Sequence, residues 1–352
     1  MADGFQRERL RAGEAGRPLA GESPPKVPRP ARDRAPVFVD ATKPDEMAEI
    51  HRRADLRFRS LERECRGMLR TATLSKATVS VHSCFTKMLI EGAPSSGSAA
   101  ILLVTDNRSD ALHAGEIVQA GDVLVYGPGA LHTSHGGPRE SINLLLPVAA
   151  LREQIEALSG QAGPPLDGRR IQLRLPARAA RKMRSVLESP WAQGLEDADG
   201  PADRVSIDAA ERALIDETCS LLSVGWGSAS EPSMLLAARK ALLEQARAFI
   251  EAGCDRHLSL TTLCRELHVN GETLRQVFRE FLGMPPMRYV KLHRMHVCRA
   301  MLMNADPGGE DNVKSIAFRC GITTSLGRFA REYRATFGEL PSQTLAANDS
   351  SR

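Results

Sequence analysis

The sequence predicts a multidomain α+β protein, with a β-barrel or jelly roll plus helices in its N-terminal half and an all-α segment in its last third. Two observations carry this. Between Gly67 and Pro147, short strand-like runs alternate with Gly, Asn, Asp and Pro at near-regular intervals, which is how a barrel or jelly roll reads in sequence. From Met234 onward the apolar residues take helical spacing almost to the end. There a short helix, a tight turn and a second helix occur twice. A chain of 352 residues has room for two or three such domains.

Residues 1–36 are rich in Gly, Pro, Arg and Ala and include Glu22-Ser-Pro-Pro-Lys-Val-Pro-Arg-Pro. They read as a disordered tail. Their arginines are followed by no apolar stretch, so no secretory signal is expected. No run is long and apolar enough to span a membrane, and a cytoplasmic protein with no membrane partner is expected.

A globular domain over 37–160 starts at Val37, with a helix expected from Pro44 to about Arg53. Strands are expected at Gly67–Leu74, Ala77–His82, Ala99–Val104, Glu116–Gln119, Val123–Tyr126 and Ser141–Pro147, and a helix over 150–160. Residues 161–226 read as a helical linker region, with helical periodicity at 176–188 and 207–226. Gly225 to Ser233 is the best interdomain linker, and 346–352 reads as a C-terminal tail. The seven cysteines lie apart with no C-x-x-C pair. That excludes a zinc ribbon or disulfide framework and leaves core thiols.

Charge separates the chain into parts. Residues 37–238 hold 22 Lys/Arg against 26 Asp/Glu, whereas 239–345 hold 16 against 11. The positive excess sits on the helical segment, as a polyanion-binding module requires. Aromatics are only 4% of the chain, too few for a stacking platform for single strands.

Residues 234–345 carry the motif. A first helix covers Met234–Glu251. Ser259 caps a short helix, Leu260–Leu267. After the turn His268-Val-Asn-Gly, Asn270 caps a helix from Glu272 to Phe281 that buries Leu274, Val277, Phe278 and Phe281. A long helix, Met287 to about Asn304, leads to the second unit. There Val313–Cys320 is followed by a turn at Gly321-Ile-Thr and by a helix beginning at Thr324 or Ser325. A glycine then a proline close each unit, at Gly283/Pro285 and Gly338/Pro341.

This segment resembles the AraC/XylS-type regulator DNA-binding domain over about a hundred residues, judged on helix-turn-helix spacing. The resemblance lies in Leu263-Cys264-x-x-Leu267-x-Val269, Leu274-x-x-x-Phe278, Gly283-x-x-Pro286-x-x-Tyr289, Ile316-Ala317-x-x-Cys320-Gly321 and Phe329-x-x-x-Tyr333-x-x-x-x-Gly338-x-x-Pro341. Between Gly321 and Phe329 the chain is shorter than the family's usual segment. That stretch is similar to a subgroup that includes the ethanolamine-operon regulator, and it implies a late or shifted second recognition helix.

On the first recognition helix, the side away from the apolar face presents Gly271, Glu272, Arg275, Gln276 and Arg279. Arginine can pair bidentately with guanine and glutamine with adenine. Glu272 could accept from cytosine, or simply be an acid favoured by the helix dipole. In the second unit Thr323, Thr324, Ser325 and Arg328 occupy the exposed start. Arg331 and Arg334, with Lys291 and Arg294, are expected at phosphates, although a solvated role is open for any one of them.

Gly121-Asp122-Val-Leu-Val-Tyr-Gly-Pro128-Gly129-Ala-Leu-His132 is similar to the second cupin motif, with its proline displaced by one. A cupin-like N-terminal domain is thereby implied, holding an effector, a dimer surface or both. His82, His113, His132 and His135 lie on or beside the β segments. A cupin metal site usually needs an H-x-H pair and a glutamate. No H-x-H is present, so no metal and no cofactor are expected. These histidines read as polar lining of a ligand pocket or as surface residues, His132 and His135 in a Gly-rich loop.

The resemblance implies a sequence-specific DNA-binding transcription regulator, not an enzyme, that acts as an activator controlled by a small-molecule effector. Its partners would be double-stranded DNA, RNA polymerase, the effector and a second copy as a homodimer. One alternative is a constitutive regulator whose N-terminal domain only dimerises. Another is a cupin-type metalloenzyme with a fused helical domain, which lacks its ligand set. A DNA-repair fusion would need a Cys-His catalytic segment, and none is found.

Overall fold

The computed structural model describes residues 37–41, 56–62, 66–109, 111–160, 166–193, 201–226, 229–230, 232–253, 258–305 and 311–349. The tail over 1–36 and the helix expected at Pro44–Arg53 lie outside these residues. A seven-stranded sheet contains β1 (Val37–Ala41), β3 (Gly67–Thr73), β4 (Thr78–Cys84), β6 (Ser98–Asp106), β9 (Asp122–Tyr126), β11 (Arg139–Pro147) and β12 (Arg170–Arg174), in the order β1-β3-β4-β11-β6-β9-β12. A second sheet contains β2 (Arg57–Ser60), β5 (Met88–Gly92), β7 (Leu112–His113), β8 (Glu116–Ile117) and β10 (His132–Gly136), in the order β2-β5-β10-β7-β8. Their pairings are antiparallel.

Alternation along each strand sorts the side chains into layers. On β11, Ile142, Leu144 and Leu146 join the main core, while Asn143 and Leu145 face a cavity between the two sheets. The main core lies beneath helices α1 (Val148–Ser159), α2 (Ala177–Leu187) and α4 (Pro201–Trp226). The short α3 (Ser189–Ala192) follows α2. Glu211 of α4 is buried and accepts from the Lys76 and Ala77 amides at 2.6 and 2.7 Å. It thereby ties the β3–β4 turn to the helical layer.

Residues 161–226 differ from their sequence reading. Arg170–Arg174 is a strand at the sheet edge, paired with β9, and Met183, Leu187, Leu214 and Leu222 belong to the β-domain core. The segment is a layer of that domain rather than a link. Its strand is hard to see because three of five residues in Arg-Ile-Gln-Leu-Arg are polar. β5 and β10 also escaped prediction. His132-Thr-Ser-His-Gly lacks apolar alternation, yet His132, Thr133, Ser134 and His135 are buried. The Gly-rich surface loop is thus corrected to a central strand of the second sheet. The expected strand Glu116–Gln119 shortens to two residues.

Close backbone approach explains one glycine. A Cβ on Gly127 would lie 1.8 Å from the carbonyl oxygen of Leu166, a main-chain atom that cannot rotate away. Gly127→Ala is therefore expected to destabilise the β domain by about 3 kcal/mol, the upper part of the overpacking range. Denaturant unfolding measures this, and a loss below about 0.5 kcal/mol, the scatter of ordinary surface changes, would contradict the close packing.

The helical segment contains α5 (Met234–Ala252), α6 (Leu260–Glu266), α7 (Gly271–Leu282), α8 (Pro286–Met303), α9 (Val313–Arg319), α10 (Leu326–Phe337) and α11 (Pro341–Asp349). Caps occur where the residue types predict them. Ser259 accepts from the Thr262 amide at 3.0 Å and Asn270 from the Thr273 amide at 2.8 Å. Gly283 and Gly338 end α7 and α10 with φ of 67° and 79°, values that cost a glycine little. One core gathers α5, α6, α7 and the start of α8 around Phe278, Phe281 and Tyr289. The other gathers the end of α8, α9 and α10 around Phe329 and Tyr333. The tail expected at 346–352 is helical over 346–349, where α11 ends at Asp349, and its last three residues lie outside the described residues. Thr344 on this helix is buried, 2.9 Å from the Tyr333 hydroxyl.

Candidate nucleic-acid interface

α7 is amphipathic in the manner its sequence requires. Leu274, Val277, Phe278, Phe281 and Leu282 are buried, which turns Glu272, Gln276 and Arg279 to solvent and leaves Gly271 and Arg275 half-buried. Arg275 Nη1 donates to Glu272 Oε2 at 3.3 Å, so the acid steadies the arginine one turn along. Exposed pairs of this kind contribute little to stability and exchange readily for another anion. The five residues expected on this face lie together.

The second pair is α9, the turn at Gly321 and α10. Thr323, Thr324, Ser325, Leu326, Gly327, Arg328 and Arg331 are all exposed. α10 begins at Leu326 with Ser325 as its N-cap, and this cap makes no side-chain hydrogen bond. Two apolar side chains are exposed beside it: Phe318 at 75%, and at 46% Leu326, which helical spacing with Phe329, Ala330 and Tyr333 places inside. They line a surface groove with Thr323 and Thr324. Position could not reveal them, since both sit among residues with apolar helical spacing.

The basic residues on α8 divide. Lys291 Nζ pairs with Glu332 Oε1 at 2.6 Å, and Arg328 Nε meets the same oxygen at 3.1 Å. Burial raises the Glu332 pKa, but hydrogen bonds from Lys291 and Arg328 outweigh it and hold the carboxyl below its ordinary value. Arg294 instead donates from Nη1 to the Gly321 carbonyl at 2.9 Å. It supports the turn of the second pair, a role the sequence did not disclose.

The cavity between the sheets is small, about 40 Å³, and is lined by Thr78, Ser80, His82, Tyr126, His132 and Asn143 among others. The His132 ring meets the Tyr126 ring edge-on at 5.0 Å and stands 6.1 Å from His113. Nδ1 of both histidines is buried without a hydrogen-bond partner. Burial, with Arg139 and Arg170 nearby, pulls the His132 pKa down to about 3, and burial with His132 and Arg139 holds His113 well below its usual value. Among the described residues, no three His, Cys, Asp or Glu side chains are placed to share a metal ion.

These depressed values have a measurable consequence. The unfolded chain takes up protons at these histidines near pH 6.5, while folded His132 stays neutral down to about pH 3. Stability is full above pH 6.5 and lost as pH falls through that window, by about 1.4 kcal/mol per pH unit for each such group. The melting temperature should fall from pH 6.5 to 4, less steeply in His132→Leu. Identical slopes for the two chains would refute the assignment.

A family model described as a helix-turn-helix domain matches residues 263–347. The "Probable thc operon regulatory protein" of Rhodococcus erythropolis is 39% identical over 97 residues, which are 28% of this chain and 29% of that one. The "XylDLEGF operon transcriptional activator 2" of Pseudomonas putida is 37% identical over 106 residues, 29% of this chain and 64% of that one. The match thus spans less than two thirds of either relative. The solved AraC-like transcriptional activator CuxR aligns over 80% of this chain and all of its own at 13% identity, with a TM-score of 0.38, too loose a likeness to bear on the fold. Among the described residues no helix is long and apolar enough to cross a membrane. The helical C-terminal part of the chain thus contains a helix-turn-helix domain, similar in sequence to segments of operon regulatory proteins and transcriptional activators.

Proposed function

We propose that the chain is a sequence-specific transcription activator of the AraC/XylS type, working in the cytoplasm with RNA polymerase as its partner. α6–α7 and α9–α10 act as two helix-turn-helix units, each laying its second helix in a major groove. The observation that carries this is the exposed α7 face with Arg275, Gln276 and Arg279, inside the matched domain. Gly271 and Glu272 line the start of that face. In the second unit Thr323, Thr324, Ser325 and Arg328 read bases, joined by Leu326, whose exposed side chain suits a thymine methyl. Lys291 and Arg331 serve the phosphate backbone, while Arg294 braces the turn at Gly321.

The cupin-like β domain takes a small-molecule effector between its sheets, against Tyr126, His132 and Asn143. Nδ1 of the buried His132 has no hydrogen-bond partner there, and a polar group of a guest would supply one. The present volume is far below the several hundred Å³ of ordinary ligand sites, so binding requires the sheets to part. That closed volume favours a second reading, in which the β domain only dimerises. The chain is tested by recovering sheared genomic DNA with it at fixed salt and sequencing what is bound. The expected result is a few enriched sites, each with two half-motifs about one helical turn, or 34 Å, apart. Uniform recovery would overturn sequence-specific control.

A further inference from the structure

We propose that the second helix-turn-helix unit selects DNA by the C5-methyl groups that pyrimidines carry into the major groove, so that 5-methylcytosine serves there in place of thymine. The proposal rests on the DNA-binding reading above and names the chemistry that α10 recognises. The exposed faces of the two second helices differ in kind. α7 presents Glu272, Arg275, Gln276 and Arg279, whose groups hydrogen-bond to base edges. The approach to α10 and its first turn present instead the exposed run Thr323-Thr-Ser-Leu-Gly327, ahead of Arg328.

A hydroxyl has one hydrogen to donate and two lone pairs, so Thr323, Thr324 and Ser325 suit several base edges and discriminate weakly. Ser325 caps α10, yet its side chain makes no cap hydrogen bond, which leaves it to a phosphate or a base. Discrimination therefore falls to the apolar groups. Leu326 is 46% exposed and Phe318 75%. Together with Ile322 and the two threonines they line a groove of about 490 Å³. In the major groove thymine stands out by its methyl group. Cytosine methylated at C5 carries the same group at the same ring position. An alkyl side chain senses that methyl by burial and is blind to the neighbouring oxygen or amine, since it neither donates nor accepts a hydrogen bond.

Gly327 gives an independent sign of what covers this face. It sits in the first turn of α10, where a Cβ would find nothing within 4 Å. The packing of the chain does not require glycine there, and glycine weakens a helix relative to alanine. Close approach of the backbone to a partner does require it. Leu326, at the adjacent position, reaches a base edge only if this turn of the helix enters the groove. Charge favours DNA as that partner. Lys314 lines the same groove, and Arg328 and Arg331 are exposed along α10, so cations flank an apolar centre. Phosphates flank base edges in the same way.

The test uses the full chain and the duplex it enriches from sheared genomic DNA. Thymines of each half-motif are replaced by deoxyuridine, which lacks only the C5-methyl. In one half-motif affinity is expected to fall about 4-fold for each methyl contacted, the worth of one buried group of that size. The same exchange in the other half-motif should change it little. Cytosine at a contacted position should bind several-fold more weakly than 5-methylcytosine. Leu326→Ala, a change at an exposed side chain, should abolish the preference for thymine over deoxyuridine. Gly327→Ala should keep or raise the melting temperature, yet weaken binding to the selected duplex on the order of 10-fold, as overfilling a close contact does. Equal affinity for thymine and deoxyuridine in both half-motifs overturns the proposal, as does a selected site without thymine. Unchanged binding by Gly327→Ala overturns the close approach. A Leu326→Ala chain that keeps its thymine preference but loses activation in reconstituted transcription assigns the patch to a protein partner and overturns methyl reading. A wild-type chain that selects no duplex refutes the DNA-binding reading itself, an outcome distinct from a selected duplex indifferent to its methyl groups.

Discussion

Replacing Arg275 and Gln276 together with alanine is expected to remove most of the discrimination between a preferred site and random duplex. Each well-placed bidentate contact to a base is worth about 1–3 kcal/mol of selectivity. Losing both should cost roughly 2–6 kcal/mol, or a factor of about 30 or more. Both side chains lie on the α7 face opposite the buried Leu274, Val277 and Phe278, so their truncation leaves the core intact and the melting temperature nearly unchanged. Competition binding at fixed salt separates the two affinities, because non-specific affinity comes mainly from phosphate contacts. An equal loss on every duplex would show that these residues meet phosphates rather than bases.

The second large effect is on stability. Phe278→Ala should destabilise the helical segment by about 3–5 kcal/mol, the range for deleting a fully buried ring. Phe278 is completely buried and meets Tyr289 edge-on at 5.7 Å between ring centroids. Its loss therefore removes an aromatic pair as well as apolar contact. Tyr289 also donates to Glu91, so the same substitution should loosen the contact between α8 and β5. Chemical denaturation followed by circular dichroism measures the first effect. A loss under about 1 kcal/mol would mean that the surroundings collapse into the cavity, at odds with a core this closely packed.

How much was legible depended on where the information lay. In the helical segment, local signals agree with one another: Asn270 before an amphipathic run, Gly283 after it, and Pro286 starting the next helix. Cap, periodicity and stop fix each helix within a residue or two, and the helix face that is not buried follows from geometry. Gly271, Glu272, Arg275, Gln276 and Arg279 could be grouped for that reason. What any helical side chain holds across the fold could not be read. Arg294 presents the chemistry of a phosphate contact but donates to the Gly321 carbonyl. Lys291 pairs with Glu332, a residue on a neighbouring helix whose position depends on packing, where it joins the i,i+4 pair that Glu332 makes with Arg328.

In the β domain the apolar strands were legible, and the polar ones were not. β9 and β11 alternate or run apolar, as half-buried strands do. β10 and β12 are made of His, Thr, Ser, Arg and Gln, and nothing in that composition distinguishes a strand from a loop. They are strands because neighbouring strands supply their hydrogen bonds, and in β10 the polar side chains are covered as well. His132 reads the same in either setting, yet it lies buried against Tyr126.

The sequence by itself therefore determined the apolar strands, the helix boundaries of the C-terminal segment, its likeness to a helix-turn-helix domain and the set of residues on the exposed face of α7. Each of these is a property of neighbours along the chain, where 3.6-residue and two-residue periods and the φ preferences of Gly and Pro act. Only the tertiary structure decided that residues 170–193 and 201–226 belong to the β domain, that His132 and His135 are buried, and that Glu91 meets Arg247 and Tyr289. Those contacts join residues as far as 198 positions apart. Their burial depends on which surfaces meet, and no local pattern encodes it.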